Sequence, residues 1–416
     1  MNKIKVLWLE ITTPTRYNGA GTVVCGWQDA LESIVRKCEK IELSVAFEAP
    51  LGNEAKIIDG VRYFPINTKY DFWENQMRNY SYDIVEKKIV KGCVELIKEL
   101  EPDIIHVFGN EWPFGLVASQ VNIPVVLHIQ GSMIPYLNAL YPPNYNRFDM
   151  ILSAGINLRK QFRFWKKEHN AKSRRNMEMR TWDYVKYFMG RTRWDRGLVN
   201  VFSNNGRYFH VEEALRPEIT NSVYGWKGRQ GGKVKLVTIG MTNFWKGPDM
   251  LLKTASVLNE VGFDFEWKIA GRIDEQIKKT VEKKEKRLFS ENNIEFLDFV
   301  RPGELCHLLS NATIYVHTAY IENSPNAICE AQYIGLPIVS TNVGGIASLV
   351  KDGVEGVLVP ANDPWQMANE IVELANDDFR MKLYSENNRK HAHLRHDEQN
   401  ILKQLLECYQ NVLGEN

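Results

Sequence analysis

Two glutamates, Glu322 and Glu330, stand eight positions apart in the stretch ENSPNAICE, with a polar loop and a predicted helix start between them. One carboxylate can accept hydrogen bonds from sugar hydroxyls and the other from a ribose diol, while a diphosphate lies over the helix N-terminus. The residues that would offer backbone N–H groups to that diphosphate are Ser324, Pro325, Asn326 and Ala327, of which the proline offers none. Glutamates at this spacing are also common on helical surfaces, so the interpretation needs support from other motifs.

Two further turns could meet phosphate groups. Lys246 precedes a glycine in the stretch GMTNFWKGP, where a predicted strand gives way to a helix, and can act there as a point charge beside backbone donors. Gly19 and Gly21 lie in a loop after the first predicted strand, where they would let the backbone approach an anion. Neither turn is specific alone, because a surface lysine and an ordinary glycine turn fit the same residues.

A histidine, His128, ends the fourth predicted strand and is followed by Gln130 and Gly131. A histidine at a strand end is either a structural residue or a catalytic one, and its place in a presumed cleft leaves both interpretations open. The other histidine cluster is His391, His393 and His396, whose spacing does not put them on one helical face. We therefore predict no metal site, and neither a metal nor another cofactor is expected.

Composition excludes several classes of protein. The 416 residues are 44% hydrophobic and 25% charged, typical of a globular protein with two or three domains. A formal charge of +1 gives no global field for nonspecific nucleic-acid binding, so no nucleic-acid partner is expected. Six scattered cysteines indicate a reducing compartment, and no apolar stretch reaches the length of a membrane span. The prediction is a cytoplasmic protein, with peripheral membrane attachment left open.

The coarse pattern predicts an α/β fold. Short β-branched runs alternate with amphipathic stretches in both halves, the pattern of βαβ units with parallel sheets. Strands are predicted at Lys5–Leu9, Ile41–Phe47, Ile104–Val107, Pro124–His128, Val234–Ile239, Phe265–Ala270, Ile294–Leu297, Ile314–His317, Pro337–Ser340 and Gly356–Val359. In such sheets ligands bind at the carboxyl ends of the strands, where the motifs above lie.

The predicted domain boundaries follow from composition. Residues 1–224 form an N-terminal Rossmann-like domain, and the glycine-rich stretch 225–232 is a linker. Residues 233–395 form a C-terminal domain. Residues 396–416 carry an apolar face at helical period and are predicted to pack back on the N-terminal domain.

A basic and aromatic region interrupts the α/β pattern. Residues 159–196 hold 13 Lys and Arg against four acidic residues, interleaved with eight Phe, Tyr and Trp. One interpretation is a solvated helical face whose aromatic residues pack inward. The other is a surface for anionic lipid head groups or a phosphate-bearing acceptor.

Taken together, the motifs resemble those of the family 4 glycosyltransferases of the GT-B fold. The resemblance rests on the Glu322 and Glu330 spacing, the following AQYIGLPIVSTNVGGIASLV, the later DGVEGVLVP and the WKG turn at Lys246. It is strong over residues 234–374 and thinner over residues 1–135. It implies two Rossmann-like domains that face each other across a cleft, and a retaining, metal-independent transfer of a sugar from a nucleotide-diphosphate sugar to an acceptor hydroxyl.

The resemblance also implies roles for individual residues. Glu322 would hold donor-sugar hydroxyls near the reacting carbon, and Glu330 would hold the ribose. Lys246 and the amides of residues 324–327 would stabilise the leaving diphosphate. Gly19 and Gly21 would face the same phosphates from the other domain, and His128 would line the acceptor side.

One departure from the family pattern concerns a second cation. Members commonly carry an arginine shortly after the glycine that matches Gly240, whereas this chain has Met241 and Thr242 there. Arg16, Arg272 and Arg301 are the candidates to replace it. If none does, donor binding would be weaker.

The leading prediction is a glycosyltransferase that builds a surface polysaccharide or a glycolipid on a sugar or lipid-linked acceptor. One alternative is a GT-B-fold epimerase of nucleotide sugars, which would form product without any acceptor. Another is a non-catalytic homologue that binds nucleotide sugars, against which the presence of Glu322, Glu330 and Lys246 argues. A nicotinamide dehydrogenase is a minor alternative, because the glycines after the first strand do not form the dinucleotide fingerprint.

Overall fold

A computed structural model describes residues 3–19, 26–78, 80–155 and 157–415. Its contacts divide the chain into two compact units. The first unit holds residues 1–137, 165–216 and 396–416, and the second holds residues 138–164 and 217–395. Each contains a mostly parallel sheet, as the alternating pattern predicts.

We number the strands in chain order; the first eight belong to the sheet of the first unit and the last six to the sheet of the second. They are β1 (Ile4–Glu10), β2 (Ile41–Ala49), β3 (Lys56–Ile58), β4 (Val61–Asn67), β5 (Ile104–Phe108), β6 (Val125–His128), β7 (Tyr187–Gly190), β8 (Arg207–His210), β9 (Val234–Met241), β10 (Phe265–Ile273), β11 (Ile294–Phe296), β12 (Ile314–His317), β13 (Ile338–Thr341) and β14 (Gly356–Val359).

Helices connect and flank the strands. They are α1 (Thr15–Asn18), α2 (Trp27–Val35), α3 (Phe72–Met77), α4 (Asp83–Leu100), α5 (Met133–Asn138), α6 (Arg147–Ala154), α7 (Leu158–Tyr184), α8 (Arg193–Phe202), α9 (Pro217–Thr220), α10 (Pro248–Glu260), α11 (Glu275–Glu285), α12 (Pro302–Asn311), α13 (Asn326–Ile334), α14 (Ile346–Leu349), α15 (Pro364–Ala375), α16 (Asp378–Arg395) and α17 (Glu398–Gly414).

The first sheet has the order β3-β4-β2-β1-β5-β6-β7-β8, parallel except for the β3–β4 pair. Its central strands are buried on both faces, and because successive side chains of a strand point to opposite sides, one strand contributes to two core clusters. Val6 and Trp8 of β1 join one core cluster with residues of α2 and α17. Leu7 and Leu9 join the other, with residues of α4 and the C-terminal part of α7. The periodic apolar face of α17 therefore packs within the first unit.

The second sheet has the order β11-β10-β9-β12-β13-β14, and all its pairs are parallel. One cluster forms its core and includes Trp267 of β10 and the apolar residues of α10 and α15. Tyr145 and Met150 also belong to this cluster, although in sequence they lie between β6 and β7 of the first sheet.

The observed division differs from the predicted boundaries in two respects. Residues 138–164 lie in the second unit, because Tyr145 and α6 pack against Phe244 and α11. The second unit begins at Pro217, and within the expected linker the Trp226 N–H donates to the carbonyl oxygen of Ile334 at 2.9 Å. The glycine-rich stretch, which its composition predicts to be a linker, is therefore hydrogen-bonded to the second unit.

The basic and aromatic region, residues 159–196, folds mainly into α7, β7 and the start of α8. Trp182, Tyr187 and Phe188 are buried in the core, whereas Phe162 and Tyr184 are more than half exposed. The aromatic residues therefore pack inward only in part, and a surface for anionic lipid head groups or a phosphate-bearing acceptor stays a prediction. Among the residues that the structure describes, no helix is both long enough and apolar enough to span a bilayer.

Candidate active site

The order of the second sheet locates a ligand crevice. From β9 the chain moves outward to β10 and β11, then returns to β12 on the other side of β9. Ligands of such sheets bind at the carboxyl ends of the two strands where the direction reverses. In this unit those ends lead into the Lys246 turn after β9 and into the Glu322 loop after β12.

The Lys246 ammonium and the Glu322 carboxylate meet at this reversal. Lys246 Nζ lies 2.5 Å from Glu322 Oε1, and His317 Nε2 lies 3.1 Å from the same oxygen. The Tyr315 hydroxyl lies 3.3 Å from the other ring nitrogen of His317. Glu322 is 6% exposed, whereas the Lys246 side chain keeps about a quarter of its surface exposed. The pair therefore presents its cationic side to solvent.

These neighbours decide the ionisation of Glu322. Burial acts to raise the pKa of the carboxyl group, but the Lys246 charge and the His317 hydrogen bond outweigh it and lower the pKa to about 2. Glu322 is consequently ionised at neutral pH, and its second oxygen can accept a ligand hydroxyl.

One close backbone approach and two hydrogen bonds hold the loops in place. Gly247 has a φ of 74°, and a Cβ there would stand 2.0 Å from the carbonyl oxygen of Thr318. The Thr318 hydroxyl donates to the Lys246 carbonyl at 2.9 Å, and the Tyr320 N–H donates to the Trp245 carbonyl at 2.7 Å. Because only glycine fits this approach, the WKG turn packs directly on the loop that carries Glu322.

The remaining predicted donor residues lie along the same edge. Ser324 and Pro325 end the loop after β12, while Asn326 and Ala327 open α13. Glu330, one turn further, is 2% exposed. The start of α10, after Gly247, and the start of α13 thus flank the Lys246 and Glu322 pair, and helix N-termini favour anions.

The three arginine candidates differ in their surroundings. Arg16, in the first unit, is paired with Asp59 at 2.7 Å and with Glu32 at 3.3 Å. Arg272 lies at an irregularity of β10, directly after Gly271, whose backbone approaches Gly240. The exposed Arg272 side chain is 3.9 Å from that of Asp298. Arg301 precedes α12 and is exposed. Arg272 is therefore the candidate next to the turn after β9.

In the first unit, His128 ends β6 in the interior, with 0% exposure. Its Nδ1 lies 3.3 Å from His106 Nε2, and the other nitrogen of His106 lies 2.6 Å from the Tyr409 hydroxyl of α17. Burial and the nearby Arg191 charge lower the pKa of His128 to about 3, so the ring is neutral at physiological pH. Its role on the acceptor side stays a prediction.

Gly19 follows α1 with a φ of 87°, and Gly21 lies outside the described residues. The three C-terminal histidines have three different neighbours: His391 bonds Glu355, His393 stacks on Tyr333 and His396 contacts the Glu213 carbonyl. In the described part of the chain, no group of three or more His, Cys, Asp or Glu side chains is arranged to hold a metal ion.

Sequence reasoning did not assign a role to His317, Gly344 or Gly345. His317 could have been noticed as a second histidine at the end of a strand that leads into a predicted site. Gly344 and Gly345 stand in the quoted family stretch, and the Gly345 N–H donates to the Glu322 carbonyl at 3.0 Å. Their contact with Glu322 is long-range, so no local pattern could show it.

Comparison with known proteins agrees with this geometry. Residues 226–391 match the family model described as glycosyl transferases group 1. A D-inositol 3-phosphate glycosyltransferase of Corynebacterium urealyticum is 28% identical over 179 residues, which are 42% of this chain and 42% of that protein. The capsular polysaccharide biosynthesis glycosyltransferase CapM of Staphylococcus aureus is 23% identical over 41% of this chain and 44% of its own length. The chain thus spans less than half of the length of these relatives.

Solved structures extend the likeness to the whole chain. A sucrose-phosphate synthase from Thermosynechococcus elongatus superposes with a TM-score of 0.73 at 13% identity and covers all of both chains. Anabaena HepE, solved in complex with UDP and glucose, gives a TM-score of 0.60 at 16% identity and covers 97% of this chain and 98% of its own. The chain has the GT-B fold, and the predicted fold class is confirmed. The family match supports the prediction that the protein is a nucleotide-sugar-dependent glycosyltransferase.

Proposed function

We propose that the protein is a retaining, metal-independent family 4 glycosyltransferase that transfers a sugar from a nucleotide-diphosphate sugar to an acceptor hydroxyl. The observation that carries the proposal is the Lys246 and Glu322 pair at the reversal point of the second sheet. It combines a cation for a diphosphate with an ionised carboxylate for sugar hydroxyls, between two helix N-termini.

In the proposed reaction, the bond between the anomeric carbon and the distal phosphate oxygen breaks, and its electron pair leaves with the nucleoside diphosphate. The acceptor oxygen forms the new glycosidic bond, and its proton passes to the leaving diphosphate. Negative charge develops on that leaving group, so a preoriented Lys246 stabilises the transition state more than the ground state. Glu322 orients the sugar, and Glu330 binds the ribose.

We further propose that Arg272 supplies the second cation in place of the missing arginine. Its position directly after Gly271, whose backbone approaches Gly240, supports this role, because the family arginine follows the glycine at the same turn. Its contact with Asp298 joins two exposed side chains and contributes little stability, so Arg272 can leave Asp298 for a diphosphate at little cost in free energy.

The proposed setting is the cytoplasmic face of a membrane, with a sugar or lipid-linked acceptor in surface polysaccharide or glycolipid synthesis. The name of CapM supports a polysaccharide pathway. The five cysteines in the described part of the chain are free thiols, as expected in a reducing compartment. Exposed Lys167, Lys172 and Arg175 of α7, in the same unit as the exposed Phe72 and Trp73, supply charges and aromatic rings for an anionic surface.

The test is a thermal-shift screen of the purified protein against UDP, GDP, ADP and their common sugar conjugates. A ligand at about 100 times its dissociation constant adds roughly 2.7 kcal/mol to the free energy of unfolding, a readily visible shift. We expect one nucleotide class to stabilise the wild type and to lose most of that effect in Glu322→Gln when the sugar is attached. The absence of a thermal shift with every one of these ligands would contradict the proposal. Product formation from the donor alone, detected by mass spectrometry, would favour the epimerase instead.

A further inference from the structure

The reversal that locates the donor crevice has a counterpart in the first sheet. There the chain leaves β1 for β2 on one side and returns to β5 on the other. The carboxyl end of β5 runs into the loop of Gly109, Asn110, Glu111 and Trp112. By the rule applied to the second unit, this edge is a ligand position in its own right.

One carboxylate oxygen of Glu111 occupies this edge without a hydrogen-bond partner among the described residues. That oxygen, Oε2, is buried, whereas the carboxyl group does accept a hydrogen bond from the residue's own backbone N–H. Burial raises the pKa of Glu111, against a lowering by that backbone hydrogen bond and by the Arg174 charge. Desolvating a carboxylate oxygen without giving it a hydrogen bond is unfavourable, and groups with perturbed pKa values are concentrated at functional sites.

Two glycines make room around this side chain. A Cβ on Gly109 would stand 3.0 Å from Glu111 Oε2, and a Cβ on Gly131 would stand 3.2 Å from Glu111 Oε1. The same Cβ on Gly131 would stand 2.9 Å from the Tyr136 hydroxyl. The Glu111 carboxyl and the Tyr136 hydroxyl therefore face each other across a position that has no side chain.

Helix α7 fixes both loops that carry these groups. Arg174 donates to the Glu111 carbonyl at 3.0 Å, and its guanidinium lies 4.1 Å from the centre of the Trp112 ring. Glu178 accepts hydrogen bonds from Asn110 and from Ser132, each at 2.5 Å, and from the Met133 N–H at 2.6 Å. The loop after β5 and the loop after β6 are thus held to one helix, so that Glu111 is oriented before any ligand arrives.

We propose that Glu111 is the acceptor-recognition residue of the first unit, and that it takes a hydroxyl of an uncharged saccharide. A carboxylate accepts hydroxyl hydrogen bonds and repels phosphate, and Glu178 nearby adds a second acidic group. The part of the acceptor that enters this edge is therefore a neutral sugar ring, even where a phosphate stands elsewhere in the molecule. The inference rests on the proposed function, because it assigns the acceptor of that reaction.

The test is saturation-transfer NMR with methyl glucoside, methyl galactoside and N-acetylglucosamine as neutral probes, and with glucuronate and glycerol phosphate as anionic probes. The variants are Glu111→Gln and, as a control, Glu99→Gln, an exposed glutamate of α4 in the same unit. We expect at least one neutral probe to bind the wild type and Glu99→Gln, and to bind Glu111→Gln about tenfold more weakly, because a hydrogen bond to a charged group is replaced by one to an amide.

Several results would overturn this assignment. They are equal binding of the neutral probes by Glu111→Gln, binding of the anionic probes only, and no binding by any probe. Thermal shifts with UDP and GDP, and melting temperatures without ligand, are measured on the same samples. Glu111→Gln should keep the nucleotide shift of the wild type. If no protein, including the wild type, shows a shift with UDP or GDP, the result counts against the donor site. Failure of the proposed function is thereby distinguished from failure of the Glu111 assignment.

Discussion

The backbone of Gly344 touches the backbone of Glu322 so closely that a Cβ on the glycine would lie 1.8 Å from the Glu322 carbonyl oxygen. Gly344 has a φ of 52°, and the next N–H, that of Gly345, donates to the same carbonyl. The loop after β13 thereby fixes the residue that we expect to hold the donor sugar.

Replacing Gly344 by alanine should therefore displace Glu322. The added Cβ overlaps backbone that cannot rotate away, and its φ is already unfavourable for an L-residue. We expect Gly344→Ala to lose at least about 2 kcal/mol more stability in urea denaturation than Gly353→Ala. Gly353 is the matched control, because its φ is 70° but nothing lies within 4 Å of a Cβ there. Equal losses of stability in the two variants would mean that the close approach of Gly344 to Glu322 does not restrict residue 344 to glycine.

Lys246 should control nucleotide affinity. In Lys246→Met the cation beside the diphosphate is removed, and a hydrogen bond to a charged group is typically worth about 1.5–3 kcal/mol. We expect titration calorimetry with the preferred nucleoside diphosphate to give a dissociation constant about 10- to 100-fold higher. Lys279→Met, an exposed lysine of α11, should bind like the wild type. Unchanged affinity in Lys246→Met would contradict the role of the WKG turn.

The stability of the protein should depend on pH through Glu178. Burial, with Glu111 nearby, raises the pKa of this carboxyl to about 7, against hydrogen bonds that lower it. Below about pH 4.5 the group is protonated in both states. As the pH rises from there to about 7, the unfolded chain loses the proton first, so folding is progressively disfavoured.

We therefore expect the melting temperature to fall less between pH 5 and 8 in Glu178→Gln than in the wild type. The variant should also be less stable overall. The Met133 N–H then either faces the new amide nitrogen, which is itself a donor, or loses its hydrogen bond. Asp183→Asn changes an exposed acid of the same helix and should leave the pH profile unaltered. Parallel profiles for Glu178→Gln and the wild type would show that the carboxyl titrates normally.

Membrane attachment can be tested on α7 without disturbing the loops. Reversing the exposed charges in Lys167→Glu, Lys172→Glu and Arg175→Glu together should reduce sedimentation with phosphatidylglycerol vesicles several-fold, because each charge near an anionic surface contributes about 1 kcal/mol. Arg174 is left unchanged, since it holds the Glu111 loop. Reversal of Lys278, Lys279 and Lys382 in the second unit is the charge-matched control. Equal sedimentation of both triple variants and the wild type would exclude this surface.

The sequence predicts the strands that carry the sites because parallel strands buried on both faces are short apolar runs. The ten predicted strands are all present, with ends displaced by at most three residues, as at Phe265–Ile273. Strands β3, β4, β7 and β8 were not predicted. The runs of β7 and β8 lie in and after a basic, aromatic stretch whose charges belong to neighbouring helices. The placement of residues 138–164 depends on contacts such as the Tyr145 hydrogen bond to Glu285, at 2.6 Å, which join distant parts of the chain.

Part of the candidate site was predictable because its residues follow strands that the sequence predicts. Lys246 and Glu322 follow neighbouring strand ends, so their meeting was implied by the fold, and the family resemblance named both. Glu111 was not predicted, because a lone glutamate after a strand has no distinguishing spacing, and the missing hydrogen bond to its buried Oε2 is visible only in three dimensions.

The position of α17 has a consequence for biosynthesis. Ile401, Leu405, Tyr409 and Val412 belong to the core of the first unit, whereas the second unit is complete at Arg395. A ribosome therefore finishes every residue of the second unit before it finishes the first. Until α17 emerges from the exit tunnel, one face of the first sheet lacks the part of its cover that this helix supplies, and the nascent protein exposes Trp8 and His106 to whatever chaperones attend it.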